Sequence, residues 1–491
     1  MLFNSIQFAI FLPIVFVLYW FITNRNLRTQ NILLLAASYV FYGWWNWRFL
    51  LLLALLSLAN YIIGLKTEKN GTTNKGKIWF IAGLIANIGV LGIFKYYNFF
   101  IDSFIDLVSL IGYDLPRSTT KIVLPVGISF YVFLSLSYII DIYKKSLHAN
   151  RNAIEVLLAL SFFPIILAGP IQRPASLLPQ ITKKREFTYN QAIEGLKQIL
   201  WGLFAKILIA DRLVPFVDDI FLNFSEYSGS TLVLGAVLFS IQIYADFSGY
   251  SDMSIGIAKL FGFNLMRNFS YPYFARDISE FWKRWHISLV TWFRDYLFLP
   301  LSFTLSYRIR GEKVLFIRTD LFIYLISSMV IWFLTGLWHG ANFTYIIWGM
   351  IHGFFLILYK WQTKSRKKIL KKIGISNKNY SVVIIEASLT LFIVLIAWVF
   401  FRAPNLQEAI LYLNGIFSKS LFTIPSILPE TILLFVCIFF SIEWFGRGNK
   451  YVLEQIGLKW KRYYRLAFYY ILIAVILYFG GEEQQFIYFQ F

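Results

Sequence analysis

Long apolar runs, broken by short polar and basic stretches, repeat from one end of the chain to the other. Each run is close to the ~20 residues that a helix needs to cross a hydrocarbon core. They predict spans at about 6–23, 31–45, 46–65, 78–97, 122–142, 154–171, 190–210, 231–262, 318–338, 341–360, 381–401, 427–445 and 463–481. The run 231–262 is long enough for one helix or a broken one. Between the spans, 101–114, 172–188, 279–303 and 404–418 are too polar or too short to cross. Among these, "SEFWKRWHISLVTWFRDYLFLPL" (279–301) is rich in aromatic residues yet carries Lys283, Arg284, Arg294 and Asp295. It reads as an amphipathic or re-entrant helix. No soluble domain, low-complexity tract or internal repeat interrupts the pattern. The expected architecture is an all-α polytopic membrane protein, one membrane domain over 1–491 that finishes in a tail at 481–491.

Composition agrees. With 58% hydrophobic and 15% charged residues, the chain is unlike a soluble globule, in which about a quarter of residues are charged. Its net charge of +20, from 46 basic against 26 acidic residues, raises nucleic acid as a partner. The basic residues, however, sit in short loops between spans. That is the positive-inside pattern, reinforced by anionic lipid heads, and it makes the bilayer the partner and excludes nucleic acid. The first span has no basic leader, and Arg25 and Arg28 follow it, which predicts a retained span with its N-terminus outside. Near the other end, 360–378 carries eight Lys/Arg and no acid, 403–426 is nearly free of positive charge, and 447–465 is basic again. Charge alone therefore sends Glu482, Glu483 and Tyr488 to the outer side. The single cysteine, Cys437, excludes an intramolecular disulfide.

Ionisable residues in apolar membrane segments are functional candidates by default, because their burial is costly. Of the four histidines, His148 follows Lys144 and Lys145 in a basic loop and reads as solvated. His339 lies in "WFLTGLWHGANFTYIIWGMIHG" (332–353), between two apolar runs. An imidazole with a pKa of about 6.5 can take a proton from a hydroxyl at neutral pH, which makes His339 either a general base or a hydrogen-bonded packing residue. Gly336 and Gly340 beside it allow close approach of a second backbone or of a substrate. His352, again followed by glycine, reads as packing or support more than as a catalyst. His286 stands beside Lys283 and Arg284. That trio suits an anionic ligand such as a phosphate-bearing cofactor, or else an interfacial helix snorkelling its charges. "QIYADFSGYSDMSIGIAKLFGF" (242–263) sets Asp246, Asp252 and Lys259 in an apolar background. Its carboxylates can orient an imidazole, pair with an arginine or form a structural network, and Asp246 has the strongest claim to a site. No metal-ligand spacing, phosphate-cradling glycine loop or serine-elbow motif occurs, so no metal is expected and ATP-driven transport by this chain alone is excluded.

Taken together, "QIYADFSGYSDMSIGIAKLFGF", "ISEFWKRWHISLVTWFRDYLFLPL" and "FLTGLWHGANFTYIIWGMIHG" resemble the membrane-bound O-acyltransferase family. The N-terminal "MLFNSIQFAIFLPIVFVLYW" and "ASYVFYGWWNWRFLLLL" are similar to its bacterial branch of alginate O-acetyltransferases. That branch is related to the peptidoglycan O-acetyltransferase membrane subunit and the teichoic acid D-alanyl transferase. The similarity covers essentially the whole chain. It implies a bundle of about eleven or more transmembrane helices, with re-entrant pieces, whose two funnels meet near a catalytic histidine. His339 matches that histidine, in a W-H-G motif, and His286 matches a second characteristic polar position, so a direct catalytic role is implied for both. Lys283 and Arg284 become expected contacts for coenzyme A phosphates, and Asp246, Ser248, Trp338 and His352 supports of the tunnel. The donor the family implies is cytoplasmic acetyl-CoA. The acceptor is an extracytoplasmic polysaccharide or peptidoglycan, reached from a bacterial inner membrane.

The resemblance also gives the C-terminus "GEEQQFIYFQF" (481–491) a meaning. In the D-alanylation system a small partner ends in an F-x-Y-F-type motif whose tyrosine is proposed to carry the acyl group. "FIYF" (486–489) fits that pattern. Tyr488 is then expected to accept the acetyl group with His339 as base and to present it to a separate extracytoplasmic SGNH-hydrolase-like acetyltransferase. An aromatic belt at the lipid–water boundary is the alternative for the tail. For the whole chain the alternatives are lipid or protein acylation with a long-chain acyl-CoA, a non-enzymatic transporter, and an export scaffold.

Overall fold

The structure is a computed structural model that describes residues 1–116, 121–314, 316–372, 374, 376, 379–481 and 483–489. The tail residues Glu482, Gln490 and Phe491 lie outside the described residues. The chain is helical nearly throughout. Among the described residues, seven helices are long and apolar enough to cross a membrane: Trp47–Asn70, Asn74–Ser109, Gly229–Leu260, Thr319–His339, Phe343–Thr363, Tyr380–Arg402 and Arg462–Phe479. Shorter apolar helices are Ile6–Ile22, Ile128–Tyr143 and Ala153–Ile166. Only one strand pair is found among the described residues, the small antiparallel hairpin Lys313–Val314 with Ile317–Arg318.

Departures from the sequence pattern have local causes. The stretch 231–262 forms a single unbroken helix, Gly229–Leu260, despite its glycines and serines. The run 154–171 breaks after Ser161, and a short turn of helix, Phe163–Ile166, follows. Pro164 supplies the break, since its ring displaces the carbonyl four residues back and it has no N–H to donate. Of the stretch 101–114, read as too polar or too short to cross, residues 101–109 continue the helix that begins at Asn74.

Two compact units are distinguishable by packing. The first comprises Met1–Leu203 and Tyr250–Met266, with the tail residues Tyr488 and Phe489. Its helices Trp47–Asn70 and Asn74–Leu91 share a buried reciprocal amide pair, Asn60 with Asn87, at 3.1 and 2.7 Å. Such pairs hold helices together where apolar surface gives no preference over lipid. A second contact brings main chains together, because a Cβ at Gly195 would stand 2.6 Å from the Gly256 carbonyl oxygen.

The second unit comprises Phe204–Gly249 and Arg267–Ile487, and it contains the stretches 279–301 and 332–353. Its centre is the antiparallel pair Thr319–His339 and Phe343–Lys372. Side chains at Gly336 and Gly349 would collide with the carbonyl oxygens of Tyr345 and Trp332 respectively. The room beside Gly336 is therefore filled by a partner backbone, the first of the two occupants that the sequence allowed, whereas that beside Gly340 is filled by the Tyr345 ring. The tight turn between these helices is secured by Asn342, whose side-chain oxygen accepts from Thr344 N at 3.0 Å and whose amide donates to Pro404 O at 2.7 Å. The segment 279–303 is a chain of short helices, Ile278–Arg284, Ile287–Phe293 and Leu299–Arg308, as its mixed polarity required. Gly349→Val is expected to destabilise the protein by about 3 kcal/mol, the upper range for overpacking. Thermal unfolding in detergent measures this, and Gly89→Val, where a Cβ meets nothing within 4 Å, serves as the control.

Candidate active site

His339 is the last residue of its helix, and Gly340 follows in extended conformation. It is buried among rings: Trp338 and Trp348 each have centroids 4.7 Å away, and Phe401 lies at 5.1 Å. The close helix pairing at Gly336 and Gly349 puts His352 on the same inner face. His352 is fully buried between Trp282 at 4.8 Å, Trp348 at 5.0 Å and Trp332 at 5.7 Å. Both of its nitrogens, and the indole N–H groups of Trp282 and Trp348, have no hydrogen-bond partner among the described residues. A buried polar group left unpaired costs roughly 1–3 kcal/mol. These unpaired groups lie together in the tightly packed aromatic interior around His352.

His286 reaches the same group from another element. It sits between the helices Ile278–Arg284 and Ile287–Phe293 with φ +43°, a left-handed conformation that costs a non-glycine residue energy. The strain is held by Asn268, whose main-chain carbonyl accepts from Ile287 N at 2.8 Å. The Asn268 side-chain oxygen accepts from the Ser288 hydroxyl at 2.9 Å and Ser288 N at 3.3 Å, and lies 3.0 Å from His286 Nδ1. Because a main-chain N–H can only donate, this amide oxygen is an acceptor and His286 Nδ1 must carry the proton. In the neutral ring the lone pair is then on Nε2. The His286 ring stands 5.9 Å from Trp338, which touches His339. His286, Trp338, His339 and His352 are thus brought together within the second unit.

A cavity of about 360 Å³ opens beside them, lined by Lys283, Arg294, Trp282, Trp332 and Thr335 among others. Thr335 is one helical turn before His339 on the same face, so the cavity wall ends a turn short of the imidazole. The two expected phosphate contacts part here. Lys283 is exposed and lines the cavity. Arg284 turns aside, pairing with Glu280 at 2.5 Å and donating to Tyr271 O at 3.4 Å. Arg294, unassigned by the sequence reading, lines the cavity and pairs with Asp295 at 2.8 Å. The cavity combines a mostly apolar wall with two cations, Lys283 and Arg294. At the same end of the unit, Glu386 accepts from Arg276 at 2.7 Å and pairs with Arg366 at 2.8 Å, next to the basic stretch 360–378.

Asp246 does not orient an imidazole in the contacts observed, and its cationic partner is a lysine, not an arginine. Lys206 Nζ lies 2.9 Å from Asp246 and 2.7 Å from Asp211, with all three side chains at most 5% exposed. This cluster meets the tail. Ile487 N donates to Asp246 Oδ2 at 2.7 Å, and Lys206 Nζ donates to Gln484 O at 3.2 Å. Phe486 is fully buried, with its ring 5.8 Å from Phe247, which is edge-on to His286 at 4.6 Å. Ser248 is buried near Asp246 on the same helix. Tyr488 follows in the short turn Ile487–Phe489, half-buried and grouped with the first unit. Asp252 and Lys259 pair locally with Gln198 at 3.2 Å and Glu194 at 2.8 Å, and exposed His148 lies 3.0 Å from Glu68.

Sequence reasoning passed over Lys206, Asp211, Asn268 and Glu443. Glu443 is buried in Glu430–Gly446 and accepts from the Tyr244 hydroxyl at 2.7 Å. Lys206 and Glu443 had a signal, a lone charge in the apolar runs "GLFAKILIA" and "LFVCIFFSIEWFG". Asn268 had none, since its role depends on a fold-dependent contact eighteen residues away.

Comparison with known proteins fits this geometry. The model of the membrane-bound O-acyltransferase family matches residues 143–403, which include His286, His339 and His352. The chain is 42% identical to the "Probable alginate O-acetylase AlgI" of Pseudomonas syringae pv. tomato, over 83% of this chain and 74% of that one. It is 36% identical to the protein of the same name from Pseudomonas putida, over 100% of both chains. It is 33% identical to the "Peptidoglycan O-acetyltransferase" of Helicobacter pylori, over 84% of this chain and 79% of that one. A polytopic membrane protein with these relatives and these motifs belongs to the membrane-bound O-acyltransferase family, and it is an acyltransferase.

Proposed function

We propose that this protein moves an acetyl group from cytoplasmic acetyl-CoA, through a bacterial inner membrane, for O-acetylation of an extracytoplasmic polysaccharide or peptidoglycan. The reading rests on one observation above the others: a basic-rimmed apolar cavity ends one turn from a buried imidazole. The relatives named for alginate and peptidoglycan acetylation support the choice of acceptor. The charge bias of the loops supports donor access from the cytoplasm and an extracytoplasmic tail.

The chemistry asks little beyond positioning, because a thioester is already activated. In the proposed step the Tyr488 phenol oxygen attacks the acetyl carbonyl carbon while His339 takes the phenol proton. The C–S bond breaks, a phenyl ester forms, and the proton passes from His339 to the departing thiolate. Free coenzyme A stays on the donor side. The oxyanion that develops in between is met by buried donors such as the Trp348 indole N–H. His286, fixed by Asn268, holds Trp338 against His339 and so acts as a positioning residue. Tyr488 then presents the acetyl ester to a soluble SGNH-hydrolase-like acetyltransferase outside, which passes it to the polymer. An aryl ester remains a reactive donor, so the relay keeps the group activated.

His339→Ala is expected to reach the membrane at the normal level yet lose polymer acetylation by at least about 100-fold, the loss that follows removal of a general base. Quantified acetate release from isolated polymer measures this, and normal acetylation by the variant would refute catalysis by His339. Tyr488→Phe keeps the aromatic area of the tail and removes the hydroxyl. The relay requires it to abolish acetylation of the polymer, and full activity would leave only the belt role. Lys283→Glu is expected to raise KM for acetyl-CoA by about tenfold with kcat little changed, as loss of a rim phosphate contact should. Steady-state thioester consumption by purified protein separates the two constants.

A further inference from the structure

The tail is held by its main chain, at a cluster of which the sequence motifs singled out Asp246 alone. Lys206 stands on the wide turn Phe204–Ala210, Asp211 opens the helix that follows, and Asp246 comes from the long helix Gly229–Leu260. One cation between two carboxylates leaves an acceptor surplus inside the protein. Burying such a group is unfavourable unless every oxygen finds a partner. The tail supplies one, since Ile487 N donates to Asp246 Oδ2 at 2.7 Å, while Gln484 O accepts a hydrogen bond from Lys206 Nζ at 3.2 Å. Both contacts are to peptide groups, so they fix where the backbone lies and not which side chains it carries. Sequence selection comes from Phe486, whose fully buried ring packs on Phe247. The segment reaches this place from Gly480 and Gly481, past a cavity of about 540 Å³ lined by Asp211, Arg212, Pro215, Glu430 and Gln484.

We propose that Lys206, Asp211 and Asp246 form a binding site for a short peptide segment, which grips the C-terminal tail by the peptide groups of residues 484 and 487 and thereby sets the register of Tyr488. The ligand class is a short segment with a buried aromatic residue followed at once by a main-chain N–H. Register is what an acyl-carrying residue needs. Shifting the gripped amide by one residue would present Ile487 or Phe489 instead of the phenol. Phe486 and Phe247 also tie the gripped segment to His286, so occupation of the site is relayed to the histidine group by ring contacts of 5.8 and 4.6 Å. The site and its register are independent observations; their use in transfer rests on the relay reading above.

Hydrogen–deuterium exchange of the full-length protein in detergent, read on peptides that resolve the Ile487 amide, tests the site without reference to activity. In the unmodified protein this amide is expected to exchange at least about tenfold more slowly than in the free peptide of residues 483–491, as a buried bonded N–H does. Asp246→Ala removes the acceptor while leaving Lys206 and Asp211 as a neutral pair, and should erase the protection. Asp246→Asn keeps an accepting oxygen and should retain it. Phe486→Ala, which leaves the charged cluster intact, should weaken it. Polymer acetylation is expected to fall in the same order, with Asp246→Asn nearest to normal. Unprotected exchange in the parent protein, or protection that survives Asp246→Ala, overturns the proposal. Either result stands apart from the Tyr488→Phe experiment, which addresses the relay alone.

Discussion

The close contact of two main chains underlies the rest of the site. The helix Thr319–His339 and its partner Phe343–Lys372 approach until the carbonyls of Trp332 and Tyr345 occupy the space of absent side chains at Gly349 and Gly336. At that distance His339 and His352 cannot avoid a common interior, and both contact the indole of Trp348. Lipid gives apolar helices no reason to prefer one another, so glycine-mediated packing of this kind carries much of the association. A wider spacing would leave the imidazoles facing different surroundings. Everything attributed to the site presupposes this pairing.

Around that pair, polar atoms are distributed with economy. Asn268 fixes one histidine, pins a left-handed residue and receives the start of the next helix through two oxygens. Lys206 serves two carboxylates and a tail carbonyl. Where polar atoms lack partners among the described residues, as at Trp282, Trp348 and His352, they sit in one packed aromatic cluster, of which Trp282 also lines the cavity that carries Lys283.

Much of the frame was legible in the sequence, because the apolar period of a spanning helix is a long signal averaged over many residues. The runs beginning near Trp47, Thr319 and Tyr380 emerged as helices, and the mixed polarity of 279–303 correctly excluded a plain span. His339 and His286 were legible as charges in the wrong solvent and by their motifs, although the sequence could not say that Arg284 would turn toward Glu280. Single-residue events were not legible. The break at His286 depends on Asn268, and the unbroken run of Gly229–Leu260 depends on packing that a glycine count does not reveal. The cluster at Asp246 joins residues that are 35 and 40 positions apart from their partners in sequence to a tail 241 away, a distance over which no local pattern extends.

The central claim is that an acetyl group crosses at the imidazole while its carrier stays behind. Sealed vesicles holding the purified protein in one orientation, given labelled acetyl-CoA only on the face bearing the basic stretch 360–378, test it most directly. The account predicts one labelled acetyl group on the tail peptide containing Tyr488, with free coenzyme A recovered only on the side of addition. Label that appears only with a long-chain acyl-CoA, or intact acetyl-CoA found inside the vesicles, would contradict it.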